Sequence, residues 1–326
     1  MAATPVAPAP TASVPPNWVD HAHPLGRLIN GLLAIGPLRS LLFLQARQLI
    51  IRTAERRGIA WRARRQQLQQ QAEPLLAAIR DPATRTPAYY RAPFHAYGEG
   101  NLCWMAACEA EQATDAMALR VWPAESLQPA EAQQRLRAAI LTAIEPSLNG
   151  PVQEALDIGC SVGVSTQALA SWLRRRQAEP PRVCGLDLSP QMLAVAQVRD
   201  GNGLVSAWHH AAAEHTGLPS ASVDLITLQF VCHELPSAAT HAVLAEAARL
   251  LRPGGVIALV DQDPESAVIR RLPAPIATLL KSTEPYLEDY FRLDLPQALA
   301  QAGFMAIRRE ACDPRHRVLV ANLAHG

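Results

Sequence analysis

The segment Ala155–Thr166, "ALDIGCSVGVST", sets an aspartate at the end of an apolar run, then Gly159 and Gly163 around a turn, then residues with helical patterning. Glycines at such a turn let the backbone approach a ligand and adopt dihedrals that a Cβ obstructs. Free N–H groups at the start of the following helix favour a carboxylate or phosphate. A second acid, Asp187, closes the next apolar run, "RVCGLDL". In a doubly wound sheet it comes to lie beside the first turn, where a carboxylate can accept both hydroxyls of a ribose. The dinucleotide fingerprint G-x-G-x-x-G is not met, because the turn reads G-C-S-V-G. The implied ligand therefore has a ribose and no pyrophosphate. A third group, His233 in "QFVCHELP", ends the fourth apolar run. Strand ends in open α/β sheets face the ligand crevice, and a near-neutral imidazole suits proton removal there. Glu234 is placed to orient it or to cap the next helix.

The elements that must hold these residues alternate after residue 150. The runs "VQEALDI", "RVCGLDL", "LVSAWHH", "VDLITLQF" and "GVIALVDQ" are separated by helical stretches such as "VSTQALASWLRRR" and "PSAATHAVLAEAARLL". Near-continuous apolar strands with helical crossovers imply a parallel sheet covered on both faces. A helical insert over about 264–302 follows, and "FMAIRRE" and "HRVLVANL" are expected to pair antiparallel at a sheet edge. The fold class expected is α/β, a doubly wound, Rossmann-like, mostly parallel seven-stranded sheet with a mainly helical N-terminal cap region.

Three regions are expected. Residues 1–26 form an Ala/Pro-rich arm without the composition of a core. Residues 27–145 form the helical region, and 146–326 the ligand-binding domain. "LINGLLAIGPLRSLLFLQARQLII" is apolar, but Pro37, Arg39 and Arg47 interrupt it before a spanning length. From Arg27 to Arg65 nine arginines face one acid, Glu55. Such a basic helix either packs on the main domain with its arginines solvated or makes an outside contact, with an anionic membrane or with nucleic acid. Aromatics concentrate between Arg85 and Pro123, where Tyr89, Tyr90, His95, Glu99, Asn101 and Glu109 suggest a lined pocket or a cap over one. Tyr89, Tyr90 and His95, with Glu284 and Tyr286 of "STEPYLEDY", are the candidate substrate contacts.

The net charge of +1 gives no global field for nucleic acid. The six cysteines show no paired spacing and read as buried hydrophobes in a reducing, cytoplasmic setting. "HHAAAEH" (His209 to His215) completes no metal shell, so no metal is expected.

With these residues in view, "LDIGCSVG", "GLDLSPQML", "AAEHTGLPSASVDLITLQFVCHEL" and "LRPGGVIALVDQ" together resemble the class I S-adenosylmethionine-dependent methyltransferases, over about Pro151–Leu323. The "AEHTGLP" and "LRPGG" forms look most like the small-molecule branch with the ubiquinone and menaquinone C-methyltransferases. "PFHAYGEGNLCWMAACEAEQAT", "HELP" and "KSTEPYLEDYF" are similar to cyanobacterial and plastid methyltransferase-domain proteins. The resemblance implies S-adenosyl-L-methionine as cofactor, its methionine end against Asp157, Gly159, Cys160 and Gly163. It implies ribose on Asp187, adenine against Leu188 and Met192 with Ala213 and Glu214 opposite, and Gln229 and Phe230 at the methyl-bearing end. Ser161 stands where the family's turn has its middle glycine, and Ala212 where an aspartate often meets the adenine. The implied partner is a small-molecule methyl acceptor.

Two other readings stay open from the sequence: a cofactor-binding scaffold without turnover, and a nicotinamide-dependent oxidoreductase. Nucleic-acid methylation is disfavoured, because "HELP" replaces the Asn/Asp-Pro-Pro-aromatic tetrapeptide after the fourth strand.

Overall fold

The computed structural model describes residue 31, residues 35–94 and residues 97–325. The expected arm at 1–26 and the candidate His95 lie outside the described residues. One seven-stranded sheet organises the chain: β1 (Glu154–Ile158), β2 (Arg182–Asp187), β3 (Ala207–His210), β4 (Val223–Gln229), β5 (Leu251–Gln262), β6 (Phe304–Ala311) and β7 (His316–Leu323). The order is β3-β2-β1-β4-β5-β7-β6, with every pair parallel except those made by β7. The last two strands thus pair antiparallel as the sequence suggests, and β7 inserts between β5 and β6.

The period-2 alternation of the strands sorts their side chains between two cores. Leu156, Ile158, Leu186, Ile226, Ile257 and Leu259 face one side and pack with Tyr290, Phe291 and Leu299 of the helical insert. Ala155, Val183, Leu225, Val256 and Val318 face the other side. There they meet Leu136 and Ile140 of a helix that precedes the sheet in sequence, together with Leu169 and Leu173 of the first crossover. Because both faces are covered, each strand reads as a continuous apolar run.

The N-terminal region supplies α1 (Gly36–Arg56), α2 (Trp61–Ala72), α3 (Trp104–Val121) and α4 (Pro129–Ile144). Helix α4 lies directly on the sheet, so the boundary expected near residue 145 falls inside a continuous core. The Arg-rich stretch is less solvated than one of the two sequence readings holds. Arg47, Arg65 and the Tyr97 hydroxyl all donate to Glu109, which is fully buried. Arg64 and Arg199 share Glu111, and Arg62 pairs with Glu55. Glu109 therefore anchors the cap and does not line a pocket. No helix among the described residues is long and apolar enough to cross a membrane.

Candidate functional site

Chain crossings put the ligand crevice at the carboxyl ends of β1, β2 and β4, where the strand order reverses. The first turn is stitched to β2, because the Gly159 and Cys160 N–H groups both donate to the Leu186 carbonyl (2.8 and 3.0 Å). Gly159 and Gly163 have φ of 69° and 74°, as the glycine pattern requires. Gly163 then opens α5 (Val164–Arg176). A Cβ on Gly163 would lie 2.5 Å from the ring of Trp208, and a Cβ on Gly185 would meet the same ring at 2.5 Å. Trp208 thus braces the turn from β3, a contact that the sequence signals only by a glycine inside the run "VCGLDL".

Ser161, in place of the middle glycine, takes φ 49°, and Phe230 at the end of β4 takes φ 63°. Left-handed backbone costs a residue with a Cβ about 1–2 kcal/mol. Two of the four such residues among those described flank this crevice. Strain of this kind gathers at ligand sites.

Asp157 does not project a bare carboxylate. It accepts from the Ser165, Thr166 and Thr227 hydroxyls at 2.6–2.7 Å. Burial raises its pKa, and the three hydroxyls oppose that rise. The carboxylate ties β1, β4 and the start of α5 together beneath the turn. Asp187 accepts from the Ser161 and Ser189 N–H groups, each at 2.8 Å. Burial is the largest influence on it, and its pKa rises to about 6 despite those bonds. A carboxylate offers about four lone-pair sites; these two N–H groups and a lesser bond from the Leu188 backbone still leave room for a ribose hydroxyl. Ser189 also caps α6 (Pro190–Arg199) by accepting from the Met192 N–H. Leu188 and Met192 are buried beside this acid, and the Ser161 hydroxyl contacts the Met192 sulfur at 3.3 Å. Cys160 is buried under the turn.

The cap closes over these strand ends. The Tyr89 hydroxyl donates to Glu214, the Tyr286 hydroxyl to the Tyr89 carbonyl (3.1 Å), and Asn101 Nδ2 to Glu234 (2.8 Å). Tyr89, Tyr90, Phe94, Asn101, Glu234 and Tyr286 line a small cleft. Burial, followed by the Asp187 and Glu234 charges, raises the Tyr90 pKa, so that phenol lies within the field of the acid at the end of β2. Ala213 packs half-buried below. His210 pins the cap to β3: its Nδ1 accepts from the Asp81 N–H, and its Nε2 lies 3.1 Å from the Leu188 carbonyl.

A second polar group occupies the opposite face. The partner of the His233 ring is Asp261 of β5, with Nδ1 and Oδ1 2.8 Å apart, while the His233 N–H donates to Oδ2 (3.1 Å). The orienting role expected for Glu234 thus falls to Asp261. The near-neutral expectation for the imidazole is also overturned. Burial alone lowers its pKa, but Asp261, supported by Glu284 and Glu234, outweighs burial and raises it to about 10. Phe94 and Tyr290 flank the ring, Tyr290 edge-on at 6.5 Å. Glu284 is buried nearby. Gln229 accepts from Arg137 of α4 (2.6 Å), and the Arg137 guanidinium sits 5.6 Å from the Phe230 ring centre. Asp261 and Arg137 escape sequence reasoning because they pair 28 and 92 residues away.

A buried acid with free lone pairs at the end of β2, beside a strained glycine turn, fits an adenosyl group. Comparison with known proteins agrees. The methyltransferase-domain family profile matches residues 156–259. An uncharacterized methyltransferase of Synechocystis sp. is 30% identical over 159 residues, 49% of this chain and 70% of the relative. Trans-aconitate 2-methyltransferase of Azoarcus sp. is 35% identical over 157 residues, 44% of this chain and 56% of that one. Demethylmenaquinone methyltransferase of Bacillus licheniformis is 32% identical over 119 residues, 36% and 49% of the two chains. The chain thus spans more than two thirds of the first relative and about half of the other two. Among solved structures, human N-acetylserotonin methyltransferase superposes with a TM-score of 0.48 at 16% identity, over 78% of this chain and 67% of that one. The turn, the acid that follows it, the family profile and the Synechocystis relative agree that the chain belongs to the S-adenosylmethionine-dependent methyltransferases.

Proposed function

We propose that the chain transfers a methyl group to a small molecule seated between the cap and the strand ends, with Asp187 receiving the cofactor ribose and His233 facing the acceptor. The observation that supports this reading is the cap cleft: Tyr90 lies in the field of both Asp187 and Glu234, and Phe94 of the same cleft borders the His233 ring. When bound, S-adenosylmethionine supplies a methyl already activated on a sulfonium, so the protein's task is alignment and exclusion of water. The Gly159–Gly163 turn admits the cofactor's amino-acid end, with Asp157 and Cys160 shaping that turn from below. Leu188, Met192 and Ala213 enclose the adenine, with Glu214 at its edge. Gln229 and Phe230 bound the methyl-bearing end. Tyr89, Tyr90, Glu284 and Tyr286 shape the acceptor side.

His233 keeps its proton through neutral pH because Asp261 holds it. It therefore offers a charged donor and suits an acceptor that arrives deprotonated or with a free lone pair. All six thiols are unpaired, which supports a cytoplasmic setting. Exposed Leu44 and Leu49 on α1, with exposed Arg52, Arg56 and Arg57, support a further contact with an anionic membrane surface. Flotation with phosphatidylglycerol vesicles, lost in a Leu44→Glu/Leu49→Glu variant, tests that contact.

Incubation with methyl-labelled S-adenosylmethionine and a small-molecule extract tests the main reading. Label in an extractable compound, matched by S-adenosylhomocysteine release, is the expected result. Saturable cofactor binding with no label transfer leaves a scaffold. Binding of NAD(H) in place of S-adenosylmethionine overturns the reading.

A further inference from the structure

Arg137 projects from α4 onto the sheet face that carries Asp157, Thr227 and Gln229, and it is 7% exposed. Alternation along β4 places Thr227 and Gln229 on this same face, so the guanidinium lies at the carboxyl ends of β1 and β4. Its surroundings do not match its charge. Among the described residues its hydrogen bond goes to a neutral amide, Gln229, and its guanidinium lies over the Phe230 ring. Among the described residues its Nε has no acceptor. The Asp157 and Asp115 charges act on it at longer range, but among the described residues no hydrogen bond joins it to either, and Asp157 already serves three hydroxyls. A guanidinium has five N–H donors in a fixed fork that matches a carboxylate. Burying one without an anion is costly unless a ligand completes it.

We propose that Arg137 is the anchor for a ligand carboxylate entering the crevice over the end of β4. This rests on the methyltransferase reading and deepens it. Two molecules in that site can bring the carboxylate: the amino-acid tail of the cofactor, or the acceptor. Arg137 acts by direct contact with that group, and Gln229 holds the fork in register.

Calorimetry separates these sources by comparing S-adenosylhomocysteine, which has the tail, with 5′-methylthioadenosine, which lacks it. If the tail is the partner, Arg137→Met weakens S-adenosylhomocysteine by ~10–100-fold and leaves methylthioadenosine unchanged. If the acceptor supplies it, that ratio holds, and thermal stabilisation of the S-adenosylhomocysteine complex by malonate disappears in the variant. Arg137→Lys keeps the charge but not the fork, and it serves if the methionine variant does not fold. In it, the affected response falls partway. A nucleoside ratio and a malonate response both equal to wild type, in either folded variant, overturn the proposal. Failure of the wild-type protein to bind either nucleoside is a different result, since it removes the methyltransferase reading itself.

Discussion

Two side chains fix the pH behaviour of the site. Asp187 has its pKa raised to about 6, mainly by burial, so the folded protein favours its protonated form below that pH. Ribose hydroxyls donating to the carboxylate favour the ionised form. Cofactor binding below pH 6 must therefore release a proton. S-adenosylhomocysteine affinity should fall tenfold per pH unit well below 6 and flatten above it, as calorimetry across pH 4.5–8 will show. Asp187→Asn should abolish that dependence. His233 runs the other way in charge. Its pKa is raised to about 10, so the pair's stabilisation is complete below the ordinary histidine value near 6.5 and is lost as pH climbs through 10. Asp261→Asn should cost about 3–5 kcal/mol in urea unfolding at pH 7, because it strands a buried imidazole without its counter-charge. At this scale the sequence showed Asp157, Asp187 and His233 because the two acids close strands and the histidine follows the fourth strand, each beside a short motif. Asp261 and Arg137 were hidden, since strand pairing and helix docking bring them in from distant segments.

Elements position these groups through steric fit. Gly163 is required twice, by its φ of 74° and by the Trp208 ring 2.5 Å from where a Cβ would sit. Gly163→Ala should lower stability by about 2–4 kcal/mol and weaken cofactor binding. Adding Trp208→Leu should restore part of the melting temperature by making room, without restoring the backbone preference. The alternation of strands and crossovers was legible because both faces are covered, which makes each strand apolar throughout. The place of β7 between β5 and β6 was not, because local pattern records that two strands pair but not which edge accepts them.

For the molecule as a whole, the cap is held by charge as much as by apolar packing. Glu109 is fully buried and receives Arg47, Arg65 and Tyr97. Glu109→Gln should destabilise the protein by about 3 kcal/mol or more. Hydrogen exchange should show the loss first in α1–α3 and later in the strands, since the core between the sheet and the helical insert contains no residue of α1–α3. Composition revealed an arginine-rich stretch. Only the folded arrangement shows that Arg47, Arg62, Arg64 and Arg65 are answered by three glutamates.

The bond from Tyr89 to Glu214 joins the segment before α3 to the loop after β3, across the mouth of the crevice. Tyr286 backs that bond by donating to the Tyr89 carbonyl, so two contacts fasten the segment at this point. Tyr89→Phe removes that hydroxyl, so stopped-flow exchange of S-adenosylhomocysteine should quicken while its equilibrium hold loosens.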